Sequence, residues 1–103
     1  MKLVLVTAPA KAADAIAETL VSENLAACVS CTDGVRSVYR WKGAVERAHE
    51  VQLVIKTSDE TLAALASRVR ELHPYETPEI VAIDVAWALP EYAAWVRAET
   101  FRG

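Results

Sequence analysis

An α+β fold with the element order βαββαβ and a short closing helix is predicted for this 103-residue chain by three features of its sequence. Two apolar, β-rich runs, Leu3 to Thr7 and Glu79 to Ile83, lie near its two ends. A stretch with helical spacing of apolar residues follows the first run, and another precedes the second. Between them, Val35 to Thr57 reads as one long alternating ribbon interrupted at Lys42-Gly43, where a glycine supplies the positive φ of a tight hairpin turn.

Leu3 to Thr7 suits a strand covered on both faces. Pro9 then opens a helix at its first turn, where a missing N–H costs nothing. Ala13, Ile16, Ala17 and Leu20 form the buried stripe of that helix, about Ala10 to Glu23, and Asn24-Leu25 suits a left-handed cap with its hydrophobic contact. Ala26 to Cys31 resumes β character, and Thr32-Asp33-Gly34 bends or bulges the chain into the outgoing hairpin arm. On that arm Ser37, Tyr39 and Trp41 point one way and Arg36, Val38 and Arg40 the other; on the return arm Val51, Leu53 and Ile55 share a face opposite Gln52 and Lys56. Ser58 and Asp59 are N-cap candidates for a second helix with Leu62, Leu65, Ala66, Val69 and Leu72 on one stripe, ending near His73 because Pro74 follows. After the stiff loop His73-Pro74-Tyr75-Glu76-Thr77-Pro78, Glu79 to Ile83 forms the last strand, apolar on both sides. Pro90 opens a short helix carrying Tyr92, Trp95 and Val96. Two right-handed crossovers around a hairpin make a ferredoxin-like sheet of four antiparallel strands with both long helices on one face.

The length allows one domain, 1–103, and its hydrophobic share of 53% is high for a chain so small, so part of the apolar surface is expected between subunits. Eleven Lys and Arg against fourteen Asp and Glu leave a net charge of −3, with no basic stripe, which excludes a nucleic-acid footprint. No window approaches the roughly 18 apolar residues of a membrane span, and the apolar start is shorter than a secretory h-region. The chain is expected to be soluble and cytoplasmic. Its three glycines, Gly34, Gly43 and Gly103, supply neither a phosphate-cradling loop nor a dinucleotide fingerprint, and nothing selects a catalytic residue. No enzyme activity and no required cofactor are expected.

The remaining chemistry lies in two clusters. Cys28-Val29-Ser30-Cys31 has the spacing of redox pairs and metal clamps, but on a regular strand residues three apart face opposite ways, so the sulfurs meet only if the bulge begins early enough to turn Cys31; the alternative is one or both as small buried hydrophobes. His73 and Glu76 bracket a Pro-Tyr turn as two potential metal ligands, completed by Glu79 or by another subunit; the alternative is that His73 complements the C-terminal end of the second helix. His49 and Glu50 read as a solvated pair on an exposed ribbon. Tyr39, Trp41, Tyr92 and Trp95 read either as a ligand-stacking box or, on a small sheet with one uncovered face, as a subunit interface.

Five ordered blocks carry a resemblance: Leu25-Ala26-Ala27-Cys28-Val29, Ser37 to Gly43, Glu50 through Leu53 to Thr57, His73 to Ile80, and Tyr92 with Trp95. In order and spacing they resemble the CutA family of divalent-cation tolerance proteins, over about Leu3 to Phe101. The resemblance implies a trimer akin in architecture to PII signalling proteins, association with copper and other divalent ions, and no established enzymatic activity. Cys28 matches the family's Ala-Ala-Cys block, and His73, Tyr75, Glu76 and Glu79 match its His-Pro-Tyr-Glu block. Ser30-Cys31 departs from the family's usual Asn-Ile, Asp84 replaces a common proline, and Ala86 to Pro90 replaces a polar connection. The expected metal ligands are therefore Cys28, Cys31, His73 and Glu76, the expected trimer contacts Tyr39, Trp41, Tyr92 and Trp95, and the expected ion copper or another divalent cation. The competing functions are a PII-like module for a small metabolite or partner protein and a C-x-x-C thiol oxidoreductase.

Overall fold

The computed structural model describes residues 1–101. Its elements are β1 (Lys2–Ala8), α1 (Ala10–Ser22), β2 (Cys28–Trp41), β3 (Ala44–Thr57), α2 (Leu62–Leu72) preceded by a 3₁₀ turn (Asp59–Thr61), β4 (Val81–Asp84) and α3 (Pro90–Glu99). The strands form one antiparallel sheet in the order β2-β3-β1-β4, which is the split arrangement expected from the sequence.

One face of that sheet is core. Val4, Val6 and Ala8 of β1 and Val51, Leu53 and Ile55 of β3 meet Ala13, Ile16 and Leu20 of α1 and Leu65 and Val69 of α2. Both long helices thus cover a single face, and removing a side chain such as Leu53, which is fully buried, costs about 2–5 kcal/mol. The opposite face carries Leu3 and Leu5 of β1, Val54 and Lys56 of β3, and Val81 and Ile83 of β4, as the registers Leu3↔Lys56, Leu5↔Val54, Leu5↔Val81 and Leu3↔Ile83 require.

That face differs from the sequence-based expectation in a consistent direction. β1 is fully buried only at alternate positions, with Leu3 and Leu5 half-covered. The last strand begins at Val81 rather than Glu79, and all four of its residues are exposed. Of the two runs that read as doubly covered strands, β1 is fully covered on one face alone and β4 is exposed throughout, because among the described residues no element lies over their far side.

Capping follows the chemistry closely. Asn24 adopts φ 59°, and the N–H groups of Leu25 and Ala26 both return to the Leu20 carbonyl, closing the C-terminus of α1 as a left-handed cap. Pro9 sits one residue earlier than expected, as the N-cap itself. Ser58 precedes the 3₁₀ turn but makes no side-chain cap; its hydroxyl instead pairs with Thr61 Oγ1 at 2.7 Å and accepts from Thr100 Oγ1 at 3.0 Å. These buried hydroxyls fasten the end of α3 to the start of α2. Lys2 donates to the Asp84 carboxylate across the β1–β4 edge, so the aspartate anchors that strand.

The hairpin turns where expected. Trp41 pairs with Ala44, and Lys42 and Gly43 take φ 49° and 83°, both positive as in a type I′ turn. Nearer its base, Thr32 pairs with Gln52 but Val35 with Glu50, so β2 holds one extra residue, with Gly34 at φ 73°. The bulge reverses the alternation. Cys28, Ser30 and Thr32 occupy the open face before it, and Val35, Ser37, Tyr39 and Trp41 occupy the same face after it.

Candidate functional site

The open face gathers the side chains that matter, in two places. The first lies where the hairpin base meets the loop after α2. Pro74 ends α2 by forcing His73 into an extended conformation, ψ 136°, which directs its ring back across β1. Nε2–H of His73 donates to the Thr7 carbonyl at 2.8 Å, and Nδ1 accepts the Tyr75 N–H at 3.1 Å. Both nitrogens are thereby used, and the ring is buried. The role expected for it at the helix end is filled instead by its own backbone N–H, which bonds Val69 O. His73 is a strut between β1 and the loop.

Tyr75 stacks obliquely on His73, with centroids 4.7 Å apart, and its phenol donates to Glu50 Oε2 at 2.9 Å. Glu50 is only 7% exposed. The solvated His49–Glu50 pair expected from the sequence is therefore split: His49 stays exposed, while Glu50 is buried by Tyr75 closing over it. Burial and the bond to Glu50 push the Tyr75 phenol up to about 12. Glu76, next in the loop, is exposed and lies 3.8 Å from Lys42 at the hairpin tip, whose ammonium also sits 5.6 Å from the Trp41 ring centroid. The Pro-Tyr-Glu loop thus holds the hairpin at both its base and its tip.

The second place is the opposite end of the same face. Lys56 donates to Ser30 Oγ at 2.6 Å and to Cys28 Sγ at 3.8 Å across the β2–β3 pair. Beside them a shallow cavity of about 400 Å³ is lined by Met1, Leu3, Lys56, Val85, Trp87, Ala88, Leu89 and Tyr92. Burial, with Cys28 as the secondary cause, raises the Tyr92 phenol above its usual value, and the Tyr92 ring lies 5.6 Å from that of Trp95.

These positions decide which expected residues meet. The bulge falls after Thr32, too late to turn Cys31: Cys28 opposes Lys56 on the open face, and Cys31 opposes Leu53 on the helix face. Both thiols are free, neither is a buried hydrophobe, and burial together with Asp14 and Asp33 raises the Cys31 thiol above its usual range. His73 and Glu76 share the loop but not a direction. Among the described residues no three His, Cys, Asp or Glu side chains are close enough to hold a metal ion. Tyr39, Trp41 and Trp95 are 42%, 40% and 43% exposed, and Tyr92 is half-buried. Among the described residues no helix is long and apolar enough to cross a membrane.

The contacts of two residues were not legible in the sequence. Glu50 carried no local signal of burial, since only a loop 25 residues later covers it. Lys56 was placed correctly on the reverse of β3, but its meeting with Ser30 and Cys28 depends on the register.

The profile of the family described as CutA1 divalent ion tolerance protein matches residues 2–99. A protein named Divalent-cation tolerance protein CutA, from Thermus thermophilus, is 44% identical over 100 residues, 96% of this chain and 97% of that protein. Among solved structures, the PII-like protein CutA from Nostoc in apo form superposes with a TM-score of 0.94 at 42% identity, covering 98% of each chain. The protein from Archaeoglobus fulgidus called a periplasmic divalent cation tolerance protein CutA superposes with a TM-score of 0.93 at 33% identity, covering 98% of this chain and 100% of that one.

Proposed function

This chain belongs to the CutA1 divalent ion tolerance family, and from that premise we propose that it acts as a homotrimeric, non-enzymatic protein that binds or responds to copper and other divalent cations in the cytoplasm. The observation that carries the reading is the family match over nearly the whole chain. Exposed apolar side chains support the trimer: Val81 and Ile83 of β4, Trp87 and Leu89 of the following loop and Trp95 of α3 are all exposed in the single subunit, and large apolar groups left open in this number mark interaction surfaces.

The four expected metal ligands do not fit one site within a subunit. Cys31 faces the helices, and His73 would have to surrender one of its two hydrogen bonds. Cys28 on the open face and the exposed Glu76 are the groups left available, so a coordination set is completed between subunits rather than inside one. The thiol favours copper(I), whereas the carboxylate suits harder ions. Calorimetric titration of the purified assembly with Cu(I), Cu(II) and Zn(II) tests this. Saturable Cu(I) binding that is lost in Cys28→Ser and kept in Cys31→Ser is expected; heats no larger than those of generic surface histidines would remove the metal reading.

The second reading, a PII-like module for a small metabolite, is favoured by the cavity beside Lys56 and by the neighbour that carries the PII-like name. A metabolite that raised the melting temperature where no metal did so would select it.

A further inference from the structure

The pairing of β2 with β3 gathers charges that the sequence scatters. Beyond the bulge Arg36 stands opposite His49, Val38 opposite Arg47 and Arg40 opposite Val45, all on the side of the sheet that carries Val51, Leu53 and Ile55 of the core. The core beneath α1 and α2 ends at Val51, and all six residues beyond it are exposed. The carboxylates of the hairpin lie elsewhere: Glu46 and Glu50 alternate to the opposite face, with Glu50 bonded to Tyr75, and Asp33 sits in the bulge. Among the described residues none of Arg36, Arg40 and Arg47 forms an ion pair. A chain with a net charge of −3 thus carries unpaired guanidinium groups on one face of a ribbon, where like charges repel until an anion arrives.

The face is also apolar in a defined place. Val38 and Val45, 60% and 58% exposed, are diagonal neighbours across the ribbon, with Arg40 to one side of them and Arg36 and Arg47 to the other. A phosphate chain would satisfy the arginines and leave the valines bare. Carboxylates flanking an apolar stripe satisfy both. From Arg36 to Arg40 the strand rises about 13 Å, the length of roughly nine residues of helix.

We propose that this face is a docking surface for an acidic amphipathic helix of a partner protein, its apolar stripe on Val38 and Val45 and its carboxylates on Arg36, Arg40 and Arg47. Arginine suits the role, since its planar fork takes a carboxylate through two parallel hydrogen bonds. The proposed trimer leaves the surface free, because Tyr39 and Trp41, its expected contacts, point to the opposite side of the hairpin. The inference needs no metal, so failure of cation binding and failure of docking are separate results.

The test uses the purified assembly and a fluorescent helical peptide of about 14 residues, with leucines on one stripe and glutamates flanking it, read by anisotropy. Saturable binding with Kd of about 100 μM or tighter is expected, weakened roughly fivefold between about 50 and 300 mM salt. A peptide with glutamine in place of glutamate should bind roughly tenfold more weakly, and one with serine in place of leucine roughly fivefold more weakly. Arg40→Gln combined with Arg47→Gln should abolish binding while melting temperature and solution mass stay those of the parent, with Arg47→Gln alone as the substitute if the double variant does not fold. Lys11→Gln, a change at an exposed cation of α1, should leave the affinity unchanged. No saturable binding, or binding that survives the arginine substitutions, would overturn the proposal. So would a single-stranded RNA that bound as tightly and was lost with the same arginines, since the face would then read phosphate. A solution mass that fell in the arginine variants would make the face a contact between copies, with the same consequence.

Discussion

The phenol of Tyr75 donates a 2.9 Å hydrogen bond to Glu50 Oε2, joining the loop after α2 to the base of the hairpin across 25 residues of sequence. Because Glu50 is nearly buried, removing its donor leaves a carboxylate without compensation rather than merely losing a contact. Tyr75→Phe should therefore destabilise the fold by about 1–3 kcal/mol in denaturant titration. Glu50→Gln, which keeps an acceptor, should cost less, and the double variant should show strong coupling. Additive losses would mean that the two side chains act independently.

The same bond has an alkaline signature. The Tyr75 phenol is raised from 10.0 to about 12, by burial first and by Glu50 second, so the folded state favours the protonated form. Stability from this group is complete below the unfolded value near 10 and is lost as pH rises from there through about 12. The stability advantage of the parent over Tyr75→Phe should shrink across that window, measured as melting temperature against pH. An advantage that grew with pH would contradict the assignment.

At the hairpin tip, Lys42 holds φ 49°, a conformation that L-residues other than asparagine and aspartate adopt at a cost of about 1–2 kcal/mol. Lys42→Asn keeps the turn while relieving that cost, and a gain of about 0.5–1 kcal/mol is expected by thermal unfolding. The ion pair with Glu76 is lost in this variant, but both side chains are 72% exposed and the contact is a weak one. Gly43→Ala, at φ 83°, should destabilise despite the open space around it.

The two cysteines should remain apart. With regular pairing from Cys28 through Thr32, their sulfurs lie on opposite faces of β2, and a disulfide would require the strand to break. Thiol quantitation after mild oxidation should return two free thiols per subunit. Rapid formation of an intramolecular disulfide would revive the oxidoreductase reading.

Much of the fold was written locally. The Lys42-Gly43 turn, the Asn24 cap and the Pro74 stop each act through the backbone of one or two residues, and the structure uses all three. The ferredoxin-like order followed from periodicity alone. What the sequence could not display were the meetings of distant segments: the register that brings Lys56 to Ser30 and Cys28, and the loop that turns over Glu50 and engages His73. The bulge was visible in Thr32-Asp33-Gly34, yet its position relative to Cys31 depended on pairing with β3. The strands taken as doubly covered misled for a physical reason, since a run apolar on both sides reads the same whether its second cover comes from the chain itself or from elsewhere.

In the proposed trimer, exposed Tyr39 and Trp41 on the hairpin, together with the open face of β1 and β4, are closed by two further copies of the chain, and Trp41→Ala should then weaken the assembly by ~2 kcal/mol or more. The most direct measurement is the solution mass of the parent protein by light scattering across a dilution series. A stable species of about three times the 11.2 kDa subunit is expected, whereas a monomer of 11.2 kDa at all concentrations would contradict the account.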